Sequence, residues 1–246
     1  MKAMILAAGL GTRLRPWTLT HPKALVPVNG VPMLERVIVG LKQQGFDEFV
    51  VNIHHFGEQI IEFLDSREFG VKIAVSDERG RLLDTGGGIL HARELLRPWE
   101  SPVLVHNVDI LSDADLRGLM EAHSERGSDS TLLVSDRDSG RKLIFDGEMR
   151  LRGWHNLKDD HYRPVGFKME EGYREYAFSG IHVVGDKVFD EMSSLSEDEK
   201  FSIIDYYMDE RRKSEITGYR QENLHLIDIG KPATLSQADK LYGEPQ

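Results

Sequence analysis

A glycine-containing turn followed by two cationic side chains comes directly after the first apolar segment of the chain. Glycines permit a tight turn in which several backbone N–H groups face one anion. The planar guanidinium of Arg13 can grip phosphate oxygens, and Lys23 supplies a compact charge. The pattern predicts a loop that binds the phosphates of a nucleotide. The residues concerned are Leu6, Ala7, Ala8, Gly9, Gly11, Thr12, Arg13 and Lys23.

The spacing of this turn excludes two other phosphate-binding motifs. A dinucleotide fingerprint requires a third glycine where Leu14 stands, and a P-loop requires Gly-Lys-Ser/Thr after the turn. The chain has neither feature. A plain strand-to-helix turn is the alternative, but the longer string and the downstream lysine agree with one another and favour phosphate binding.

Two aspartates follow apolar segments that are predicted to be strands. Asp109 comes shortly after Val103–His106, and Asp228 comes directly after Leu224–Ile227. Phosphoryl chemistry requires positive charge, and a hard divalent cation held by one or two carboxylates commonly supplies it. The alternative is that either aspartate only caps a helix or turn. We predict that Asp109 and Asp228 bind Mg²⁺.

A second glycine cluster is predicted to open a helix and so to offer free N–H groups and the positive end of a helix dipole. The residues are Thr85, Gly86, Gly87 and Gly88. Successive glycines would let a flat base or a sugar lie against bare backbone. A flexible surface loop is the alternative. We expect Thr85, Gly86 and Gly87 to bind the nucleotide.

Composition limits the classes of protein to which the chain can belong. The chain has 246 residues, no cysteine, 40% hydrophobic residues and a formal net charge of -10. A nucleic-acid-binding surface is not expected at this charge, disulfides are excluded, and no segment is long enough to span a membrane. We expect a cytoplasmic protein, either a monomer or a homodimer, with one domain over residues 1–246.

Strand and helix patterns alternate along most of the chain. This alternation predicts an α/β fold with a mixed, mainly parallel sheet, helices on both faces and ligands at the carboxyl ends of the strands. A β-rich segment over about 141–176 is expected to cover the substrate. The predicted strands are Met4–Ala8, Glu48–Ile53, Val71–Val75, Val103–His106, Ser130–Val134, Ala177–Val184 and Leu224–Ile229. The predicted helices are Met33–Gln44, Phe56–Leu64, Ile89–Leu96, Asp113–Arg126, Phe201–Arg212 and Pro232–Leu241.

The histidines do not show metal-ligand spacing. His54, His55, His106 and His225 form neither His-Glu-x-x-His nor another ligand pattern, and neighbouring strand positions point to opposite faces. We interpret them as hydrogen-bonded packing residues.

The first glycine turn resembles the signature of the sugar-1-phosphate nucleotidyltransferases, Gly-x-Gly-Thr-Arg-Leu with a following Pro-Lys, and every signature residue is present. The resemblance covers nearly the whole chain and implies a Rossmann-like nucleotidyltransferase fold. It implies that Arg13 and Lys23 are catalytic and that Asp109 and Asp228 bind magnesium. The family usually has Gly-Asp at the first metal position, whereas Val108 stands here, which questions a close backbone approach but not the carboxylate.

The segment that runs from Asp77-Glu78-Arg79 through the second glycine cluster, Asp84–Ile89, resembles the base-binding segment of the N-acetylmuramate-1-phosphate uridylyltransferases. The segment Tyr176–Ile181 resembles the family's strand beside the sugar. These resemblances imply that Asn107, Ser179 and Gly180 contact the sugar.

The implied reaction joins UTP and N-acetylmuramic acid 1-phosphate to give a nucleotide-sugar and pyrophosphate, a step of cell-wall recycling. The implied mechanism is in-line attack without a covalent enzyme intermediate. The alternatives are a nucleotidyltransferase that uses GTP, CTP or UTP with mannose, glucose or heptose 1-phosphate, and a non-catalytic protein that binds nucleotide-sugars.

Overall fold

The computed structural model describes residues 1–97, 101–195 and 198–241. The strands are β1 Lys2–Leu6, β2 Pro27–Val28, β3 Val31–Pro32, β4 Glu48–Ile53, β5 Lys72–Asp77, β6 Val103–Asn107, β7 Ile110–Ser112, β8 Ser130–Ser135, β9 Arg141–Phe145, β10 Leu151–Asn156, β11 His161–Arg163, β12 Arg174–Val184, β13 Ile216–Arg220 and β14 Leu226–Asp228. The α-helices are α1 Met33–Gln43, α2 Gly57–Asp65, α3 Asp84–His91, α4 Leu116–Arg126, α5 Asp186–Leu195, α6 Ile203–Tyr207 and α7 Pro232–Leu241. Short 3₁₀ turns cover Thr12–Leu14, Trp17–Leu19, Lys23–Leu25 and Ala92–Leu96.

The main sheet is mixed, and its central strands are parallel. Its strands lie in the order β11-β10-β9-β12-β6-β1-β4-β5, with β8 paired to β12 and β13 paired to β8. The pairs β1–β4, β1–β6, β4–β5 and β8–β13 are parallel, whereas β12 runs antiparallel to β6, β8 and β9. The predicted α/β fold is confirmed.

Side chains alternate between two buried layers, one on each face of the sheet, because successive strand residues point to opposite sides. On β1, Ala3 and Ile5 lie in one layer and Met4 lies in the other. Helices α1, α2 and α4 cover the first layer, and α3, α5 and α6 cover the second. Helix α1 shows how the pattern works, because its buried residues Met33, Val37 and Leu41 recur at helical spacing.

The carboxyl ends of β1, β4, β6 and β8 lie at one edge of the sheet, since β12 is antiparallel to both β6 and β8. Strand β14 reaches this edge through its antiparallel pairing with β7, in which Asp228 lies opposite Ile110. The loops that follow these strands therefore meet, and the predicted site residues lie in these loops.

Most predicted elements agree with the structure, including an antiparallel β9–β10–β11 unit within residues 141–176. Two helices differ. Helix α3 starts at Asp84 instead of Ile89, so the glycine cluster lies inside the helix. The predicted helix Phe201–Arg212 is shortened to Ile203–Tyr207, because a Ser202 capping box fixes its start and Asp209 accepts the Arg211 amide in a turn beyond its end.

Among the described residues, the helices are all too short or too polar to cross a bilayer.

Candidate active site

The loop after β1 is held by an asparagine from the neighbouring strand. Asn52 Oδ1 accepts the amide of Ala7 at 2.6 Å and the amide of Ala8 at 3.3 Å. These two amides are therefore engaged within the protein. The amides of Gly9 and Gly11 have no acceptor among the described residues. The part of the loop that is ready to receive an anion thus begins at Gly9.

Gly11 has a conformation and a neighbour that both require glycine. Its φ is +60°, and a Cβ at this position would lie 2.8 Å from Lys23 Cβ and 2.9 Å from Thr18 Cγ2. The Thr18 hydroxyl also donates to the Gly11 carbonyl at 2.9 Å. The glycine is therefore what allows the loop to lie directly against Lys23.

Lys23 and Asp109 form an ion pair, which joins a predicted phosphate-binding cation to a predicted metal-binding carboxylate. The two side chains are only 13% and 16% exposed. Charges in such a place interact more strongly than they do in open solvent. The structure thus brings the first glycine loop and the end of β6 into one site.

The backbone beside Asp228 lies next to that of Asp109, because the Ile229 amide donates to the Asp109 carbonyl at 2.8 Å. Arg13 also approaches this point. A Cβ on Gly230 would lie 2.8 Å from Asp228 Oδ1 and 3.0 Å from Arg13 Nη2. The Asp228 carboxylate and the Arg13 guanidinium therefore both lie beside Gly230, and the backbone next to Asp228 is bonded to that of Asp109.

This pair of carboxylates fits a hard divalent cation that is shared with a substrate. In the described part of the chain, no group of three or more His, Cys, Asp or Glu side chains could hold a metal ion. Mg²⁺ is commonly bound by one or two carboxylates together with substrate phosphates and water. Asp109 and Asp228 supply the protein share of such a site. Magnesium binding stays a prediction.

Glu78 lies in the segment that resembles the base-binding region, but the sequence pattern indicated no role of its own for this residue. It is 3% exposed, it accepts from Asn52 Nδ2 at 2.7 Å, and it accepts from the Leu83 amide at 3.2 Å. Burial raises the pKa of this carboxyl, although the two hydrogen bonds oppose the rise. A signal was present in the sequence, because Asn52 interrupts the apolar strand β4 with a polar group that requires a partner.

The second glycine cluster is packed against the chain itself. The amides of Gly86 and Gly87 both donate to the Phe201 carbonyl, at 2.9 and 3.1 Å. The Thr85 hydroxyl accepts the Ile203 amide at 2.9 Å. A Cβ on Gly87 would lie 2.1 Å from the Glu199 carbonyl oxygen. The expectation that these glycines offer free amides to a base is therefore corrected, and their binding role stays a prediction.

The three predicted sugar-binding residues lie close together but differ in access. Gly180 has a φ of +72°, and a Cβ there would lie 2.7 Å from Asn107 Nδ2. Asn107 and Gly180 therefore pack against each other. Ser179 is fully buried, and its hydroxyl has no hydrogen-bond partner among the described residues. Because the Ser179 side chain is enclosed, a sugar at the surface of the cleft would contact the residues next to Ser179 and not its hydroxyl.

Two other details concern positions that the sequence had singled out. Val108 is buried in the first layer, and its amide donates to the Leu6 carbonyl at 3.2 Å, so the residue in place of the usual glycine serves packing. His54 and His106 each contact a backbone carbonyl through Nδ1. Burial lowers the pKa of His106 to about 4, which favours a neutral ring at physiological pH.

Residues 2–243 match the nucleotidyl transferase family. The chain belongs to this family.

Two relatives of this nucleotidyltransferase agree with that assignment, and a solved structure of another protein has the same fold. The N-acetylmuramate alpha-1-phosphate uridylyltransferase of Neisseria meningitidis is 35% identical over 247 residues, which cover 99% of each chain. The mannose-1-phosphate guanyltransferase of Pichia angusta is 30% identical over 98% of this chain and 64% of its own. The crystal structure of HddC from Yersinia pseudotuberculosis with GMP-PN superposes with a TM-score of 0.75 at 22% identity, over 98% of this chain and 99% of that chain.

The nucleotidyltransferase is thus an enzyme of the sugar-1-phosphate class, and nucleotide and sugar phosphate substrates fit this family. The class uses a divalent metal ion. This agrees with the two carboxylates at the cleft.

Proposed function

We propose that the enzyme transfers a uridylyl group from UTP to N-acetylmuramic acid 1-phosphate, releasing pyrophosphate. One observation supports this choice above the others. The uridylyltransferase of Neisseria meningitidis aligns over 99% of both chains, so the likeness includes the segments that would contact base and sugar.

The proposed mechanism depends on positioning and on charge. A phosphate oxygen of the sugar 1-phosphate attacks the α-phosphorus in line, and pyrophosphate leaves on the opposite side. The attacking oxygen is already ionised near neutral pH, so no general base is required. The free amides of the first glycine loop and the Arg13 guanidinium hold the departing pyrophosphate, and Lys23 neutralises charge near the reacting centre.

Asp109 and Asp228 would hold Mg²⁺ in this proposal. When bound, the ion would neutralise negative charge on the phosphates and hold them in the orientation required for attack. Asp109 is already paired with Lys23. The carboxylate therefore also positions the lysine.

A second candidate is guanylyl transfer to mannose 1-phosphate, because the Pichia angusta enzyme also aligns over nearly all of this chain. CTP-dependent and glucose- or heptose-specific reactions belong to the same group of alternatives. The deciding experiment is a panel in which UTP, GTP, CTP and dTTP are each combined with these sugar phosphates and pyrophosphate release is recorded. The proposal requires UTP with N-acetylmuramic acid 1-phosphate to give the highest kcat/KM.

Asp109→Asn and removal of divalent ions provide the internal controls for this panel. Each should abolish pyrophosphate release while circular dichroism stays unchanged. A different best pair would replace the proposed substrates. Tight binding of a nucleotide-sugar without turnover of any pair would instead support a non-catalytic binding protein.

We also propose that residues 1–246 form one domain. The reaction would take place in the cytoplasm, as a step of cell-wall recycling.

A further inference from the structure

The predicted sugar-binding residues do not include a charge that could meet the phosphate of the second substrate. Asn107, Ser179 and Gly180 are uncharged, and Ser179 is enclosed. A sugar 1-phosphate brings up to two negative charges to a centre where the triphosphate already lies. A cation on the sugar side of the cleft would complete the site.

Arg137 lies at the required place. It follows β8 at the same edge of the sheet as Asp109, and its Nη2 donates to the Phe178 carbonyl at 2.8 Å. Phe178 marks the start of the irregular register between β12 and β8, directly before Ser179 and Gly180. The arginine is therefore anchored to the strand that is expected to line the sugar.

Arg137 is also within electrostatic reach of Asp228, a predicted metal ligand. The negative charge of Asp228 acts on the guanidinium and raises its pKa, but burial has the larger effect and lowers it. The two groups are thus close enough to interact without forming an ion pair. A phosphate between the sugar strand and Asp228 would lie beside this guanidinium.

The hydrogen-bonding capacity of Arg137 is only partly used. Its Nε is buried and has no partner among the described residues. Its Nη1 reaches the Asp138 carbonyl only at 3.5 Å, the outer limit for a hydrogen bond. No ion pair of the described residues includes Arg137. A half-buried cation without an anionic partner is costly for the folded protein, so a functional partner is a reasonable explanation.

A neighbouring arginine provides the contrast. Arg220 lies at the end of β13, beside β8, and it is paired with Asp136 at 2.7 Å and with Glu222 at 3.4 Å. Its charge is already neutralised. The same edge of the sheet therefore carries one satisfied arginine and one that lacks an acidic partner.

We propose that Arg137 binds the phosphate group of the sugar 1-phosphate and holds it for attack on the α-phosphorus. This inference rests on the proposed function. The anion could instead be the carboxylate of N-acetylmuramic acid. The position beside Asp228 favours the phosphate, because the phosphate is the part of the sugar substrate that must reach the metal region.

The test compares Arg137→Gln and Arg137→Lys with Arg220→Gln as the matched control. Steady-state kinetics give KM and kcat for each substrate, and calorimetry measures binding of the sugar phosphate without turnover. N-Acetylglucosamine 1-phosphate, which lacks the carboxylate, is used as an alternative substrate or competitive inhibitor. Thermal unfolding verifies that each variant is folded.

The expected result is a rise of about 10- to 100-fold in KM and Kd for the sugar phosphate in Arg137→Gln. KM for UTP should change by less than about 3-fold, Arg137→Lys should restore part of the affinity, and Arg220→Gln should resemble the wild type. Arg137→Gln should weaken the binding of both sugar phosphates, with and without the carboxylate, to the same extent.

Three outcomes would overturn the assignment. The first is near-normal affinity of Arg137→Gln for the sugar phosphate. The second is an equally large rise in KM for UTP. The third is a loss of affinity for N-acetylmuramic acid 1-phosphate alone. The last outcome would assign Arg137 to the carboxylate. If the wild type does not turn over that compound, the proposed function fails separately, and the Arg137 comparison is made with the sugar phosphate that the panel identifies.

Discussion

The two glycine-rich segments of this enzyme differ in what surrounds them. The first, around Gly9 and Gly11, has amides without acceptors among the described residues and lies against Lys23. The second, Gly86 to Gly88, is buried in α3, and its amides at 86 and 87 donate to the Phe201 carbonyl. One segment is available to an anion, and the other accommodates the protein's own backbone.

The difference shows that a run of glycines indicates that another group packs closely against the backbone, but not whether that group is a ligand or part of the protein. At Gly11 the neighbour is a cationic side chain only twelve positions downstream, within the same motif. At Gly87 the neighbour is the Glu199 carbonyl, more than a hundred positions away. Sequence alone can recognise the first arrangement but not the second.

Among variants of the two glycine segments and their neighbours, removal of the cation beside the first segment should give the largest effect. We expect Lys23→Ala to lower kcat/KM by about 100- to 1,000-fold, because an oriented charge donor near the reacting phosphates would be lost. Pyrophosphate release and chemical denaturation would be measured together. Lys72→Ala, which removes a surface lysine paired with Glu48, is the control and should keep full activity. Near-normal turnover in Lys23→Ala would contradict the catalytic role.

A side chain at Gly11 tests whether the first segment must lie against Lys23. Gly11→Ala should lower kcat/KM by about 10-fold or more, because the methyl group would displace Lys23. Gly30→Ala is the matched control, since Gly30 also has a positive φ, +75°, but has nothing within 4 Å of its Cβ position. Both variants should lose about 1–2 kcal/mol of stability through backbone strain. Equal activity in the two variants would refute the contact argument.

The reverse behaviour is expected for the second segment. Gly87→Ala should reduce the free energy of unfolding by about 1–3 kcal/mol, since the new methyl group meets a backbone carbonyl that cannot rotate away. Urea unfolding measures this change. Gly80→Ala has open space at its Cβ position and should change stability by less than about 0.5 kcal/mol. A stable Gly87→Ala protein that has lost only nucleotide affinity would show instead that the segment serves the ligand.

Local patterns predicted much of the fold. The strand Glu48–Ile53 and the helix Pro232–Leu241 were predicted with the bounds that the structure shows. Helix α3 was predicted to start too late, because glycines disfavour a helix on their own and only the packing of residues 199–203 explains them. When tertiary contacts override local helix propensity, the sequence around the helix start does not show where the helix begins.

The candidate site divides in the same way. Arg13, Lys23, Asp109 and Asp228 were predicted from motif and position, and the structure brings them to one edge of the sheet. Their roles in binding and catalysis stay predictions. Arg137 was missed because a charged residue between two aspartates resembles an exposed turn, and its contact with the Phe178 carbonyl joins residues 41 positions apart.

Glu78 connects the two glycine segments and gives the smallest expected effect. It holds Asn52, which positions the Ala7 amide, and a Cβ on Gly88 would lie 2.7 Å from its Oε1. Burial raises its pKa above the ordinary value of 4.5. The folded protein therefore keeps this proton at a pH where the unfolded chain has lost it, so this group's contribution to stability falls as pH rises from about 4.5 through the folded pKa.

Glu78→Gln removes this titration. The unfolding free energy of the wild type minus that of Glu78→Gln should decrease between pH 4.5 and 7, with a slope of at most about 1.4 kcal/mol per pH unit for one proton. Glu125→Gln, at an exposed position on α4, is the control, and its difference from the wild type should show no comparable decline. A Glu78 difference that grows with pH would mean that hydrogen bonds from Asn52 and Leu83 outweigh burial. In that case the connection between the two glycine segments would be held by a charged carboxylate, and its loss should weaken both segments together.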